Sequence, residues 1–159
     1  MKITILTVGK IKEKYLKDAI AEYAKRLSRY CKLQIVEVED EKTPDGASAT
    51  MEDQIKEKEA ARLSKCLDEE AFLITLEIQG KMLDSESFSK TMEQICLRGK
   101  NHIQFVIGGS LGLHTSITER SDLALSFSKM TFPHQLMRVI LLEQVYRSFR
   151  IQNNEPYHK

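Results

Sequence analysis

Paired cysteines, long apolar runs and a surplus of charge of one sign are all missing from this 159-residue chain, and each absence narrows what it can be. Cys31, Cys66 and Cys96 stand far apart with no CxxC pair, which is the pattern of reduced thiols in a cytosolic protein rather than a disulfide framework or a zinc site. The opening MKITILTVGK carries an apolar run too short for a signal peptide or membrane helix. No later stretch approaches about 20 apolar residues, so a soluble, cytoplasmic protein with no membrane partner is expected. The net charge is only +1, from 24 basic and 23 acidic residues, a poor footprint for a protein that holds nucleic acid by phosphate neutralisation alone.

Familiar chemical signatures are missing as well. His102, His114, His134 and His158 have neither the i,i+4 spacing of metal ligands nor neighbouring cysteines, so no metal centre is expected. No Gly-x-Ser-x-Gly elbow occurs. Gly80-Lys81-Met82 lacks the upstream glycine and the Ser or Thr of a phosphate-binding P-loop. The run Gly108-Gly109-Ser110-Leu111-Gly112 has the wrong glycine spacing for a dinucleotide fingerprint and comes late in the chain.

What is there reads as one α/β domain over residues 1–159, with a mostly parallel sheet flanked by helices. Strands are predicted at Lys2 to Val8, Leu33 to Val38, Phe72 to Leu76 and Ile103 to Ile107, with a further apolar segment from Leu123 to Phe127. Helices are predicted from about Glu13 to Arg29, Met51 to Leu67, Ser85 to Leu97 with Asp84 or Ser85 as cap, and Thr115 to Ser121. Glu39 to Gly46, a charge run ending in a Pro-Asp-Gly turn, is a surface loop.

The last helix is predicted to begin with Pro133, whose missing N–H suits a first position, and to run to about Arg150. At about 100 degrees per residue, His134, Arg138, Leu141 and Val145 share one face, with Glu143, Arg147 and Arg150 opposite. Apolar residues nearly encircle it, so either it is buried in a larger core, for which a chain of this size has few elements left, or cover from the chain's own sheet on one side leaves a second side for a partner copy. Glu143 and Arg147 have the spacing of a helix-stabilising ion pair.

Two clusters are candidates for chemistry. The glycines after the Phe105 to Ile107 strand allow a backbone to approach a ligand closely, although the spacing is equally that of a structural turn. Ser126, Ser128, Lys129, Thr131, His134 and Arg138 then form a polar constellation, followed by the tail Pro156-Tyr157-His158-Lys159, whose Tyr and His beside a cation are groups that stack on bases and touch phosphates. Between Lys129 and the end, five basic residues face only Glu143 and Glu155, so if RNA binds, the C-terminal part is where it is expected.

The segments Thr75 to Lys81, Phe105 to Ser110, Leu125 to His134, Glu143 to Arg147 and Tyr157 to Lys159 together resemble the ribosomal RNA large subunit methyltransferase H family of the SPOUT class. The resemblance covers the whole chain and departs only slightly, with Glu77 where Asp is as readily expected. It implies a deep C-terminal trefoil knot, a homodimer, and methylation of N3 of a pseudouridine in large-subunit ribosomal RNA. It further implies that S-adenosyl-L-methionine lies among three loops, here Leu76, Gly108 and the stretch Phe127, Ser128, Lys129, Met130, Thr131 and Phe132. The leading candidates to handle the base proton or its anion, and a phosphate or carbonyl, are His134 and Arg138, followed by Tyr157 and His158 from a tail that crosses to the other subunit. Because so little net charge suits naked RNA poorly, the expected substrate is the large-subunit RNA inside an assembled 70S ribosome. The competing readings are a noncatalytic ribosome-associated binding protein and a nucleotide-binding oligomerisation module, and the preferred cofactor separates the three.

Overall fold

The computed structural model describes residues 1–159. Five strands, β1 (Lys2–Val8), β2 (Lys32–Val38), β3 (Phe72–Met82), β4 (His102–Ile107) and β5 (Leu123–Ser126), form one sheet in the order β2-β1-β4-β3-β5. Every pairing is parallel, from Lys2 against Lys32 to Met82 against Ser126. An all-parallel sheet must be covered on both faces, and this explains the unbroken burial of Ile3 to Val8 and Ile103 to Ile107.

The cover comes from five helices: α1 (Lys14–Leu27), α2 (Ala49–Ser64), α3 (Ser85–Leu97), α4 (Thr115–Thr118) and α5 (His134–Gln152). α1, α3 and α5 pack on one face through Leu27, Met92, Leu141, Val145 and Phe149 against Ile3, Ile5, Ile74 and Phe105. α2 and α4 cover the other through Ala60, Leu63 and Ile117 against Leu6, Val8 and Val106. Ser48 caps α2 by accepting from the Met51 amide at 3.2 Å, and Asp84 caps α3 by accepting from the Ser87 amide at 2.7 Å. No helix is long and apolar enough to cross a membrane.

Three elements differ from the sequence reading. β3 continues beyond Leu76 to Met82, because Leu76 and Lys81 both pair with Leu125 while the residues between them bulge out. Gly80 makes the return possible, since a Cβ there would stand 2.8 Å from the Ala124 carbonyl carbon and oxygen. Pro133 lies just before α5 instead of inside it: its ψ of 128° is extended, and its carbonyl accepts from the Met137 amide at 3.1 Å. α4 is a single turn, because the chain must reach β5, where the Asp122 amide already donates to the Leu73 carbonyl.

The apolar circumference of α5 is covered on one side only. α1 and α3 flank it on the sheet and bury Leu141, Leu142, Val145, Tyr146 and Phe149, whereas Leu136 is exposed and Val139 and Ile140 are half-buried and belong to neither core cluster. The second side of α5 is thus left open by the chain's own elements.

Candidate functional site

Parallel strands bring their C-terminal ends to one edge, and open α/β sheets bind ligands beyond that edge. Here three chain segments meet there around a pocket of about 470 Å³. They are Leu76 to Ile78 from the bulge of β3, Ile107 to Ser110 with Gly112 after β4, and Leu125 to His134, with the exception of Lys129, after β5. Met137 completes the wall. The volume suits a small-molecule ligand, for which such sites run to a few hundred Å³ or more.

Each segment is held in place locally. A Cβ on Gly108 would stand 2.7 Å from the Gly112 carbonyl carbon, so only glycine lets the turn after β4 fold back on itself. Gly112 itself has φ +84°, in the left-handed region that favours glycine. On the third segment, the Ser126 hydroxyl donates to the Ser128 carbonyl at 3.1 Å and the Ser128 hydroxyl accepts from the Met130 amide at 2.9 Å. These two serine contacts brace the loop from within. On the first, the Thr75 hydroxyl stands 2.5 Å from Glu77 Oε2 and 2.7 Å from Ser121 Oγ, and so fixes the carboxylate at the pocket wall.

The pocket wall is mainly apolar side chain and backbone, with Glu77 and His134 as its titratable groups. Backbone amides and carbonyls there can read the edge of a flat heterocycle, and Glu77 offers a carboxylate to a cation or to hydroxyls. His134 is half-buried, and burial first, then the nearby Arg138 charge, holds its pKa below the ordinary imidazole value despite the opposing Asp40. A neutral imidazole at neutral pH can accept a proton.

Arg138 occupies a different place from the one expected. It is 1% exposed. Its Nη1 donates to Glu37 Oε2 at 2.6 Å, and its Nη2 donates to the carbonyls of Val8 at 3.1 Å and Gly9 at 2.7 Å. The same Glu37 oxygen accepts from the Ile11 amide at 3.0 Å. The guanidinium thus ties α5 to the ends of β1 and β2, one helical turn beyond His134, and a phosphate could reach it only by displacing those partners.

Tyr157 and His158 are not brought to the pocket in the single chain. Tyr157 donates to Glu143 Oε2 at 2.7 Å, the same atom that accepts from Tyr23 at 2.9 Å, while Arg147 holds Glu143 Oε1 at 2.6 Å and lies over the Tyr157 ring at 4.7 Å. His158 Nδ1 is 3.2 Å from Arg147 Nη1. From His134 to Arg147 is 13 residues of helix, about 20 Å. Burial, followed by the hydrogen bond to Glu143, raises the pKa of Tyr157.

The sequence reading groups Leu76, Gly108, Phe127, Ser128, Met130, Thr131, Phe132 and His134, and all eight line the pocket, whereas Lys129 does not. It misses Glu77, whose role appears only once Thr75 and Ser121 are seen to hold it, and Glu37, whose partner Arg138 is 101 residues away. It also takes Glu143 and Arg147 for a simple ion pair, where Glu143 in fact gathers two tyrosines from distant parts of the chain. The cysteine thiols are free, and burial pushes Cys31 up to about 11, which removes it as a nucleophile.

Comparison with known proteins agrees with this architecture. Residues 1–158 match the family described as predicted SPOUT methyltransferase. The chain is 62% identical over 159 residues to the ribosomal RNA large subunit methyltransferase H of Bifidobacterium adolescentis, covering all of both chains. It is 57% identical, again over the full length of both, to the protein of that name from Clostridium kluyveri. Among solved structures, a probable methylase family protein from Haemophilus influenzae Rd KW20 shares the fold with a TM-score of 0.52 at 11% identity, over 96% of this chain and 66% of that one. With a pocket at the C-terminal strand ends and full-length relatives at such identity, this chain belongs to the SPOUT methyltransferases, within the ribosomal RNA large subunit methyltransferase H family.

Proposed function

We propose that this protein methylates N3 of a pseudouridine in large-subunit ribosomal RNA, using S-adenosyl-L-methionine, in the cytoplasm and on the assembled 70S ribosome. The observation that carries the reading is one pocket in which three strand-end loops meet His134, in a chain whose full-length relatives carry the name of a ribosomal RNA methyltransferase. The pocket suits the cofactor in size and chemistry: its apolar walls at Leu76 and Phe127 fit a heterocycle, Gly108 exposes backbone, and Glu77 can hold a cation or a ribose. Leu76, Gly108 and the loop from Phe127 to Phe132 would hold it. When bound, S-adenosyl-L-methionine supplies a methyl group already activated on a sulfonium.

The remaining work falls to the protein. N3 must lose its proton as the new N–C bond forms, and His134, neutral and at the pocket wall, takes it. Arg138 acts as a positioning residue that holds α5, and with it His134, against the strand ends. Tyr157 and His158 contact the RNA from the second subunit of a homodimer, which removes the separation of about 20 Å along α5 within one chain. The same reading includes a trefoil knot among the three loops.

The test is methyl transfer from labelled S-adenosyl-L-methionine to ribosomes lacking the modification, comparing 70S particles, free subunits and naked RNA, with mass mapping of the product. A methyl on N3 of a large-subunit pseudouridine, formed fastest on 70S particles, is the expected result. Cofactor binding without transfer to any of the three would replace the enzyme by a noncatalytic binding protein.

A further inference from the structure

The charge of this nearly neutral protein is divided between the two faces of its sheet. Residues 10–32, which span the β1–α1 turn, α1 and the entry to β2, hold eight Lys or Arg against three Asp or Glu. Residues 33–70, which span the rest of β2, the loop after it and α2, hold five against twelve. α1 lies on the face of α5, and α2 on the opposite one. The balance of +1 therefore conceals a basic pole and an acidic pole.

The basic pole begins at the turn after β1. Lys10, Lys12 and Lys14 are exposed, and Tyr15 beside them is 69% exposed, while Ile11 and Leu16 point inward and anchor the segment. Only Lys14 of the three lysines has a carboxylate partner, Asp18 at 2.7 Å, and that pair is fully at the surface, where it is easily exchanged for a phosphate. An amphipathic ring left in water beside three cations, with exposed Glu13 the one acid among them, is the combination that single-stranded nucleic acid uses: the cations neutralise phosphates and the ring face stacks on a base.

The turn that presents these groups is fixed rather than loose. Glu37 accepts from the Ile11 amide, and Arg138 donates to the carbonyls of Val8 and Gly9. The turn leaves β1 at Val8, whose Cγ1 stands 3.2 Å from the place a Cβ on Gly109 would take, while Glu59 Oε2 of α2 stands 2.9 Å from the same place, so the glycine loop lies where the two poles meet.

We propose that Lys10, Lys12, Lys14 and Tyr15 form a docking surface for the phosphates and one unpaired base of the RNA strand that enters the pocket. The surface rests on the methyltransferase reading above for its substrate. The acidic pole on the α2 face repels the same RNA and so sets the orientation of docking.

The experiment compares wild type with Lys10→Gln/Lys12→Gln/Lys14→Gln in binding to unmodified 70S ribosomes, and to protein-free large-subunit RNA at low salt, across a salt series. Cofactor affinity is measured in parallel by calorimetry. The triple variant is expected to bind both RNAs at least tenfold more weakly, with a log–log salt slope shallower by about 2 to 3, near one for each phosphate that is no longer neutralised. Cofactor affinity and kcat at saturating ribosomes stay at wild-type values. Tyr15→Ala weakens RNA binding about fivefold or more without changing the slope, and Tyr15→Phe restores it. Lys42→Gln/Lys58→Gln/Lys65→Gln, on the acidic face, leaves binding unchanged. Wild-type affinity and slope in the first triple variant would overturn the assignment. So would a loss seen on ribosomes but not on protein-free RNA, which would transfer the surface to a ribosomal protein. A wild-type protein that binds RNA but no S-adenosyl-L-methionine would defeat the methyltransferase reading alone, and the two triple variants would still decide the surface.

Discussion

The two ends of α5 hold their charged groups in opposite ways. At its start, Arg138 is sealed from water and bonded to Glu37 and to the carbonyls where β1 ends. Further along, Glu143 and Arg147 are half-buried and bonded to side chains, Tyr23 from α1 and Tyr157 from the tail. The first arrangement uses backbone groups that cannot move without unravelling a strand end, so it makes a rigid platform for His134. The second depends on side chains, one of them on the tail beyond the helix, so it can be opened and remade without disturbing the sheet. A rigid His134 and a releasable tail suit the two tasks proposed for them, chemistry on one substrate and capture of the other.

Removing Pro156 to Lys159 is the most severe way to test that contrast. Methylation is expected to vanish while S-adenosyl-L-methionine affinity, measured by calorimetry, stays within about twofold. Equal loss of both would mean that the two ends of α5 do not divide the work.

His134→Ala should lower single-turnover rate by about 10² to 10⁴, the range for loss of a general base, with little effect on cofactor affinity. In the intact protein, burial and the Arg138 charge depress the His134 pKa, so the acid limb of kcat/KM should lie below the ordinary imidazole value of about 6.5. The sign for stability follows from the same shift. An unfolded chain takes up the proton more readily, so the contribution of this residue is present above about pH 6.5 and declines as the pH falls toward the folded value.

Arg138→Met strikes the rigid end directly. It leaves Glu37 and two strand-end carbonyls without their donor, and should cost about 3 kcal/mol in a urea titration. At temperatures where the variant is folded, the acid limb should move upward, because the positive charge that held His134 neutral is gone. An unchanged limb would show that Arg138 acts on His134 by position only.

Glu143→Gln should be the mildest of the four. It keeps an oxygen for one tyrosine and loses the ion pair with Arg147, at about 1 kcal/mol of stability. Faster proteolysis of the tail, with the core intact, would confirm that the far end of α5 can open by itself.

Much of this molecule can be read directly from its chain. The buried strands at Lys2–Val8 and His102–Ile107 announce themselves by their β-branched and apolar residues, and the cap Asp84 precedes its helix as expected, whereas the start of α2 at Ser48 lies ahead of the predicted Met51. Glycine and short polar residues near Gly108 and from Ser126 onward interrupt apolar strands, but that pattern fits a structural turn equally, and it is the family resemblance that groups Gly108 with Phe127 to Phe132 as pocket residues. The extension of β3 past Leu76 is not legible, since Glu77 and Gln79 break the pattern and only contact with β5 restores pairing at Lys81.

Periodicity within a helix determined that Arg138 and His134 share a face, because 3.6 residues per turn is a local property. Whether Arg138 faces RNA or a buried carboxylate was decided by Glu37, a residue 101 positions earlier that only the folded sheet carries to it. The same holds for the apolar ring of α5, which composition makes but α1 and α3 cover on one side only, and for the net charge of +1, which counting supplies but the two sheet faces divide. Local patterns follow from neighbouring residues along the chain; partners, cover and the direction of a field follow from distances in space, and those exist only once the parallel sheet has closed.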